Sequence, residues 1–151
     1  MPHNFKLFPE LTNSQMQFYY FQSPHKQITE DFRAEVVKVH DGDTITVRTN
    51  FRDFDFPIRF LDTNAPELNE AGGKESKEWM EQRLLGKNIE VLIDKKQRVG
   101  KYGRLLGIIV SGGLNINEAS VRMGKSTPFN QRNEGKLPKL SKEINIKKWL
   151  A

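Results

Sequence analysis

Three features of this sequence predict an α+β chain, mainly β, built as an OB-type five-stranded Greek-key barrel with about three helices. Five short runs rich in β-branched and aromatic residues recur between turn signals. Helix-forming stretches are inserted between them and after the last. A length of 151 residues provides for one core with appendages rather than for two domains.

The first two runs, 34–40 and 43–49, alternate around an Asp-Gly turn signal, with Val37, Val39, Ile45 and Val47 among their apolar positions. Residues 50–56 are polar and aromatic and make the next connection. Residues 57–63 read as a third strand, with Pro57 at its first position, where a missing N–H is tolerated. Gly72 and Gly73 precede a helix over 74–85, in which Trp79, Met80, Arg83 and Leu84 fall at helical spacing and Gly86 is the stop. Residues 88–93 and 105–110 supply the fourth and fifth strands, and Ser111-Gly112-Gly113 a turn. Asn117 is expected to cap a short helix carrying Ala119, Val121, Arg122 and Met123, ended by Gly124.

Two flanks surround this domain, which is taken as 33–130. Residues 1–32 hold Phe5, Phe8, Phe18, Tyr19, Tyr20 and Phe21, a Ser23-Pro24 turn signal and a capped turn near Thr29-Glu30-Asp31. Rings in such number are expected to cover an apolar face of the barrel; stacking on nucleotide bases is the alternative, and it requires exposed rings. The segment 131–151 is basic, with Arg132, Lys136, Lys139, Lys142, Lys147 and Lys148 against Glu134 and Glu143. It is expected to dock through Ile144, Trp149 and Leu150, leaving its lysines in solvent.

Lys and Arg number 24 against 19 acidic residues, a net charge of +5, which favours polyanionic partners such as DNA or RNA. No cysteine is present, so disulfides and cysteine-held zinc are excluded. No apolar run is long enough to span a membrane. Met1 to Tyr20 does not read as a secretory signal. A cytoplasmic monomer without a small-molecule cofactor is the expectation.

The chemistry gathers in 41–67, from Asp41-Gly42-Asp43-Thr44 to Arg59 and on to Ala65-Pro66-Glu67, with Lys101-Tyr102-Gly103-Arg104 answering it later. Carboxylates for a hard cation, a carboxylate that can act on water, and two arginines with forked donors for phosphoryl oxygens suit metal-assisted attack on a phosphodiester. Those motifs, together with Asp94-Lys95-Lys96-Gln97-Arg98 running into Lys101 and a glutamate eight residues after Arg59, resemble the staphylococcal (thermonuclease-like) nuclease domain over roughly 33–125.

The resemblance implies the same OB architecture and a calcium-dependent nuclease of low base specificity, other divalent ions being admissible. It implies that Asp43 is the principal calcium ligand and that Ala65 offers a backbone carbonyl. Arg59 and Arg104 would stabilise the phosphoryl group. Glu67 would position or activate water, a choice that sequence leaves open. Lys101 and Tyr102 match a pair that holds a terminal nucleotide phosphate, although Lys-Tyr-Gly-Arg also suits a plain turn. Phe129 is the ring left to stack on a base where the family carries tyrosines.

Asn64 departs from the pattern, since the family has a second ligand aspartate there. The amide keeps a carbonyl oxygen but loses charge, so weaker calcium binding is expected. On an extended strand Asp62 would share a face with Asn64, roughly 6.5–7 Å away. It would then either reach the ion and restore the charge or pair with Arg59 or another base. The alternative to an active nuclease is a catalytically idle nuclease-like module that binds nucleic acid or protein. An unrelated OB-type oligonucleotide binder stands third.

Overall fold

The computed structural model describes residues 3–100 and 103–128. Its strands are β1 (Phe32–Asp41), β2 (Thr44–Arg48), β3 (Phe56–Phe60), β4 (Thr63–Asn64), β5 (Asn88–Leu92), β6 (Leu105–Ser111), β7 (Leu114–Asn115) and β8 (Thr127–Pro128). Its helices are α1 (Met16–Tyr19), α2 (Gly73–Leu84) and α3 (Ile116–Arg122). The order β3-β2-β1-β5-β6 is antiparallel throughout, and parallel pairing of β3 with β6 closes the five strands into a barrel. This is the mainly β, OB-type architecture with three helices that the sequence predicts.

The barrel closes because each strand turns its branched residues to one side. Val36, Val39, Ile45, Val47, Ile58 and Ile109 are buried together, under Trp79, Met80 and Leu84 of α2 and Ile116 and Ala119 of α3. Full burial of one such side chain contributes roughly 1.5–3 kcal/mol. β1 keeps its apolar residues inward only by means of register shifts between Val36 and Lys38 and between Val39 and Asp41. Val36 therefore lies inside, whereas Val37, another apolar position of the run, is half-buried.

Three local expectations are corrected. The run 57–63 is not one strand: β3 ends at Phe60, Leu61 and Asp62 make a turn, and Asp62 adopts φ 59° before β4 begins. Asp is among the residues that tolerate this left-handed conformation. Asn115, not Asn117, caps α3, its side chain accepting from Glu118 N at 3.0 Å. Asn117 is buried and ties the end of β3 to β6 instead: its Oδ1 accepts from Ile109 N, and its Nδ2 donates to Leu61 O and Gly107 O. Residues 29–31 form no helical turn; the Asp31 carboxylate accepts from Ile93 N at 2.7 Å, and the third helix is α1.

The segment before β1 is fixed through Leu11 and Ile28, both buried, and through Glu10, which pairs with Arg52 and Arg98 below the surface. The rings of Phe18, Tyr20 and Phe21 are exposed and are not part of the barrel core among the described residues. Lys101, Tyr102, Phe129 and the segment 131–151 lie outside the described residues. Among the described residues no helix is long and apolar enough to cross a membrane.

Candidate functional site

The turn between β1 and β2 is shaped by Gly42. A methyl group there would lie 1.9 Å from Ser76 Oγ and 2.6 Å from the Ala65 Cβ, so only glycine lets α2 and residues 63–65 close over the turn. The turn also carries its own bond, from Asp43 N to Asp41 Oδ1 at 3.0 Å. Asp43 is thereby buried to 7% exposure. Its Oδ1 accepts from Thr44 Oγ1 at 3.1 Å and its Oδ2 from Ala65 N at 2.8 Å.

Burial and a hydrogen bond with the neighbouring Asp41 carboxyl push the Asp43 carboxyl up to about 6. The Arg59 charge and the Ala65 N–H pull it down and are outweighed. Asp41, a residue the motif reading passed over, is thus part of the site. The Asp-x-Asp spacing was its signal.

Arg59 rises from β3, across from Thr44 of β2. Its NH1 donates to Thr63 O at 2.8 Å and Phe60 O at 3.2 Å, and lies 3.3 Å from Asp43 Oδ2. Its NH2 donates to Asn64 Oδ1 at 2.5 Å. The guanidinium clamps the 60–64 turn and draws Asn64 and Asp43 to one point. Asn64 is buried, held also by the pairing of β4 with β8 across Thr127.

Arg104 stands one residue before β6. The parallel register sets Arg59 beside Leu106 and Ile58 beside Leu105. Leu105 and Ile58 are buried while Arg59, Leu106 and Arg104 are not, so the two arginines rise from the same outer face of neighbouring strands. Two residues along and one strand across amount to about 8 Å between Cα atoms. The Arg104 side chain has no ion pair or hydrogen bond with the described residues.

Glu67 is exposed on a turn before α2, closed by Glu70 N to Glu67 O at 2.9 Å and Glu67 N to Glu70 Oε1 at 2.8 Å. Its carboxylate has no partner among the described residues. Asp62 is exposed at the left-handed turn position, so the shared face with Asn64, which required an extended chain, does not exist. The described residues give Asp62 no ion pair with Arg59 either.

Among the described residues no three His, Cys, Asp or Glu side chains converge on an ion-binding point. A cation here would rest on Asp41, Asp43 and neutral oxygens. That donor set is all oxygen, with one buried carboxylate beside another, and it fits a hard divalent ion. Sulfur and imidazole donors, which would suit zinc, are not among them.

Comparison with known proteins agrees with this geometry. A family model described as "Staphylococcal nuclease homologue" matches residues 57–146. A protein of Escherichia coli O157:H7 named "Uncharacterized endonuclease" is 33% identical over 120 residues, covering 78% of this chain and 75% of that one. "Micrococcal nuclease" of Shigella flexneri is 33% identical over 108 residues, 66% of this chain and 59% of that one. An "Uncharacterized endonuclease" of Haemophilus influenzae is 31% identical over 98 residues, 65% and 53% of the two chains.

Proposed function

The chain belongs to the staphylococcal nuclease homologue family, and from that premise we propose that it is a divalent-cation-dependent nuclease, calcium being the expected ion, that hydrolyses DNA or RNA phosphodiesters with little base specificity. The observation that carries the reading is the shared outer face of Arg59 and Arg104, with the Asp43 carboxylate 3.3 Å from Arg59.

A phosphodiester resists hydrolysis because its charge repels a nucleophile and more charge gathers on the nonbridging oxygens as the bond to phosphorus forms. Arg59, held in place by Thr63 O, Phe60 O and Asn64 Oδ1, lends its charge to the phosphoryl oxygens, and Arg104 offers them its forked donors. Glu67 faces solvent, where it can orient a water or take its proton. Water oxygen bonds to phosphorus, the ester P–O bond breaks, and the leaving oxygen is protonated from solvent.

Asp41, Asp43, the Asn64 side-chain oxygen and the Ala65 carbonyl would hold the ion. When bound, it polarises a phosphoryl oxygen and acidifies coordinated water. Asp41 takes the compensating role expected of Asp62. Lys101 and Tyr102 hold a neighbouring phosphate, and Phe129 stacks on a base.

A second reading, a nuclease-like module that binds without cutting, rests on Asn64, because the amide lowers the charge available to the ion. Incubation with single-stranded DNA and with RNA, in calcium, magnesium or chelator, separates the two. Metal-dependent degradation lost in Glu67→Gln supports the nuclease. Retained binding with no degradation under any condition supports the second reading.

A further inference from the structure

Residues 8–13 meet Gly103, Arg98 and Lys95 in reverse order. Phe8 packs on Gly103, where a methyl group would come within 2.5 Å of the ring. Leu11 O accepts from Arg98 NH2 at 3.1 Å, and Asn13 Nδ2 donates to Lys95 O at 2.9 Å. One end of this track therefore adjoins Arg104, and at the other end the chain enters α1. Leu11 N, bonded to Gln27 Oε1 at 2.6 Å, and the buried Glu10 fix the track in place.

The rings of Phe18, Tyr20 and Phe21 are not spent on that anchoring. Neither α1 nor the tight turn Tyr20–Gln22 buries a residue. Phe18 is 72% exposed and Phe21 95%, with Tyr20 set edge-on to Phe21 at 5.8 Å between centroids. Rings held in water on a fixed segment mark a binding surface more than a fold requirement. Between residues 3 and 27 the one carboxylate, Glu10, is buried, whereas Lys6, Lys26, Lys95 and Lys96 are exposed. Exposed apolar rings on a segment whose surface charges between residues 3 and 27 are lysines, crossing Lys95 and Lys96 with only Asp94 beside them, match unpaired bases on a phosphate backbone.

We propose that this N-terminal segment is a stacking track for single-stranded nucleic acid, continuing the candidate site from Arg104 past Phe8 to Phe18 and Phe21. The proposal rests on the nuclease reading for the strand's entry at Arg104. The rings receive bases of the flanking strand, and Lys95 and Lys96 meet its phosphates. A duplex, whose bases are already stacked on one another, gains nothing from the rings.

The test is fluorescence anisotropy of a labelled 16-nucleotide oligothymidylate and of a duplex of equal length, in chelator so that nothing is cut. Phe18→Ala/Phe21→Ala is expected to weaken single-strand affinity at least about tenfold, with a parent-like melting temperature. Phe18→Leu/Phe21→Leu keeps apolar area without an aromatic face and is expected to weaken it as well, whereas Phe18→Trp/Phe21→Trp restores it. Unchanged affinity in the alanine variant, a parent-like leucine variant, or an equal loss on the duplex overturns the track. Metal-dependent cleavage by the parent is measured in parallel, so failure of the nuclease reading registers there and not in the ring dependence.

Discussion

The Arg59 guanidinium donates to the Asn64 side-chain oxygen at 2.5 Å while its other amino nitrogen lies 3.3 Å from Asp43. An amide thus occupies a position where a carboxylate would accept the same donor. Asn64→Asp is expected to raise calcium affinity roughly tenfold, because ligand charge dominates binding and stronger pairing with Arg59 offsets only part of it. Isothermal titration calorimetry measures this. Equal affinity in the two proteins would remove residue 64 from the ion's surroundings.

Asp43 gives a pH signature. Its carboxyl, pushed from 3.8 to about 6, binds a proton more tightly in the folded protein than in the unfolded chain. Folding therefore loses stability as pH rises from about 4 through 6, by up to about 3 kcal/mol from this residue. Asn at this position cannot titrate. Measured in chelator, Asp43→Asn should gain on the parent between pH 4 and 7, and a pH-independent difference would contradict the assignment.

Asn117 and Asn115 should separate sharply. Asn117 bonds three buried main-chain groups; Gly107 O keeps its bond from Leu61 N at 2.9 Å, whereas Ile109 N and Leu61 O each lose a partner, so Asn117→Ala is expected to cost about 2 kcal/mol or more. Asn115 supplies one helix cap, and Asn115→Ala should cost about 1 kcal/mol. Thermal melts rank them, and the reverse order would refute Asn117 as the tie between the end of β3 and β6.

Glu10 sits between two buried guanidiniums, and Arg52 Nε and Arg98 Nε already lack partners. Burial and the nearby Arg52 lower the Arg98 pKa, opposed by Glu10. Glu10→Gln leaves two buried cations uncompensated and is expected to cost about 3–5 kcal/mol in urea unfolding. Glu90→Gln, which breaks the exposed pair with Arg33 at 3.6 Å, should cost little. Similar losses in the two would mean that the cluster is not an anchor.

The barrel was legible because branched residues such as Ile45, Val47, Ile58 and Ile109 recur with period two, and periodicity reports burial directly. Asp62 was not, since nothing in a pattern of apolar residues signals a left-handed turn inside an apparent strand. Asn117 misled for a related reason: asparagine suits a cap and a buried bridge alike, and tertiary contacts decide between them. Asp43, Arg59 and Asn64 were marked by motif spacing and do lie together. Asp41 drew no notice because its role depends on burial beside Asp43. The exposure of Phe18 and Phe21 follows from how Glu10 and Leu11 anchor the segment, a long-range fact with no local trace.

Arg59 and Arg104 are expected to act on one phosphodiester beside Asp43. Single-turnover cleavage of a single-stranded oligonucleotide in calcium tests it most directly, with affinity measured separately in chelator. Arg104→Ala should lower the cleavage rate about 10²- to 10³-fold while weakening affinity far less. A parent-like rate in that variant, or no cleavage by the parent in any metal, would contradict it.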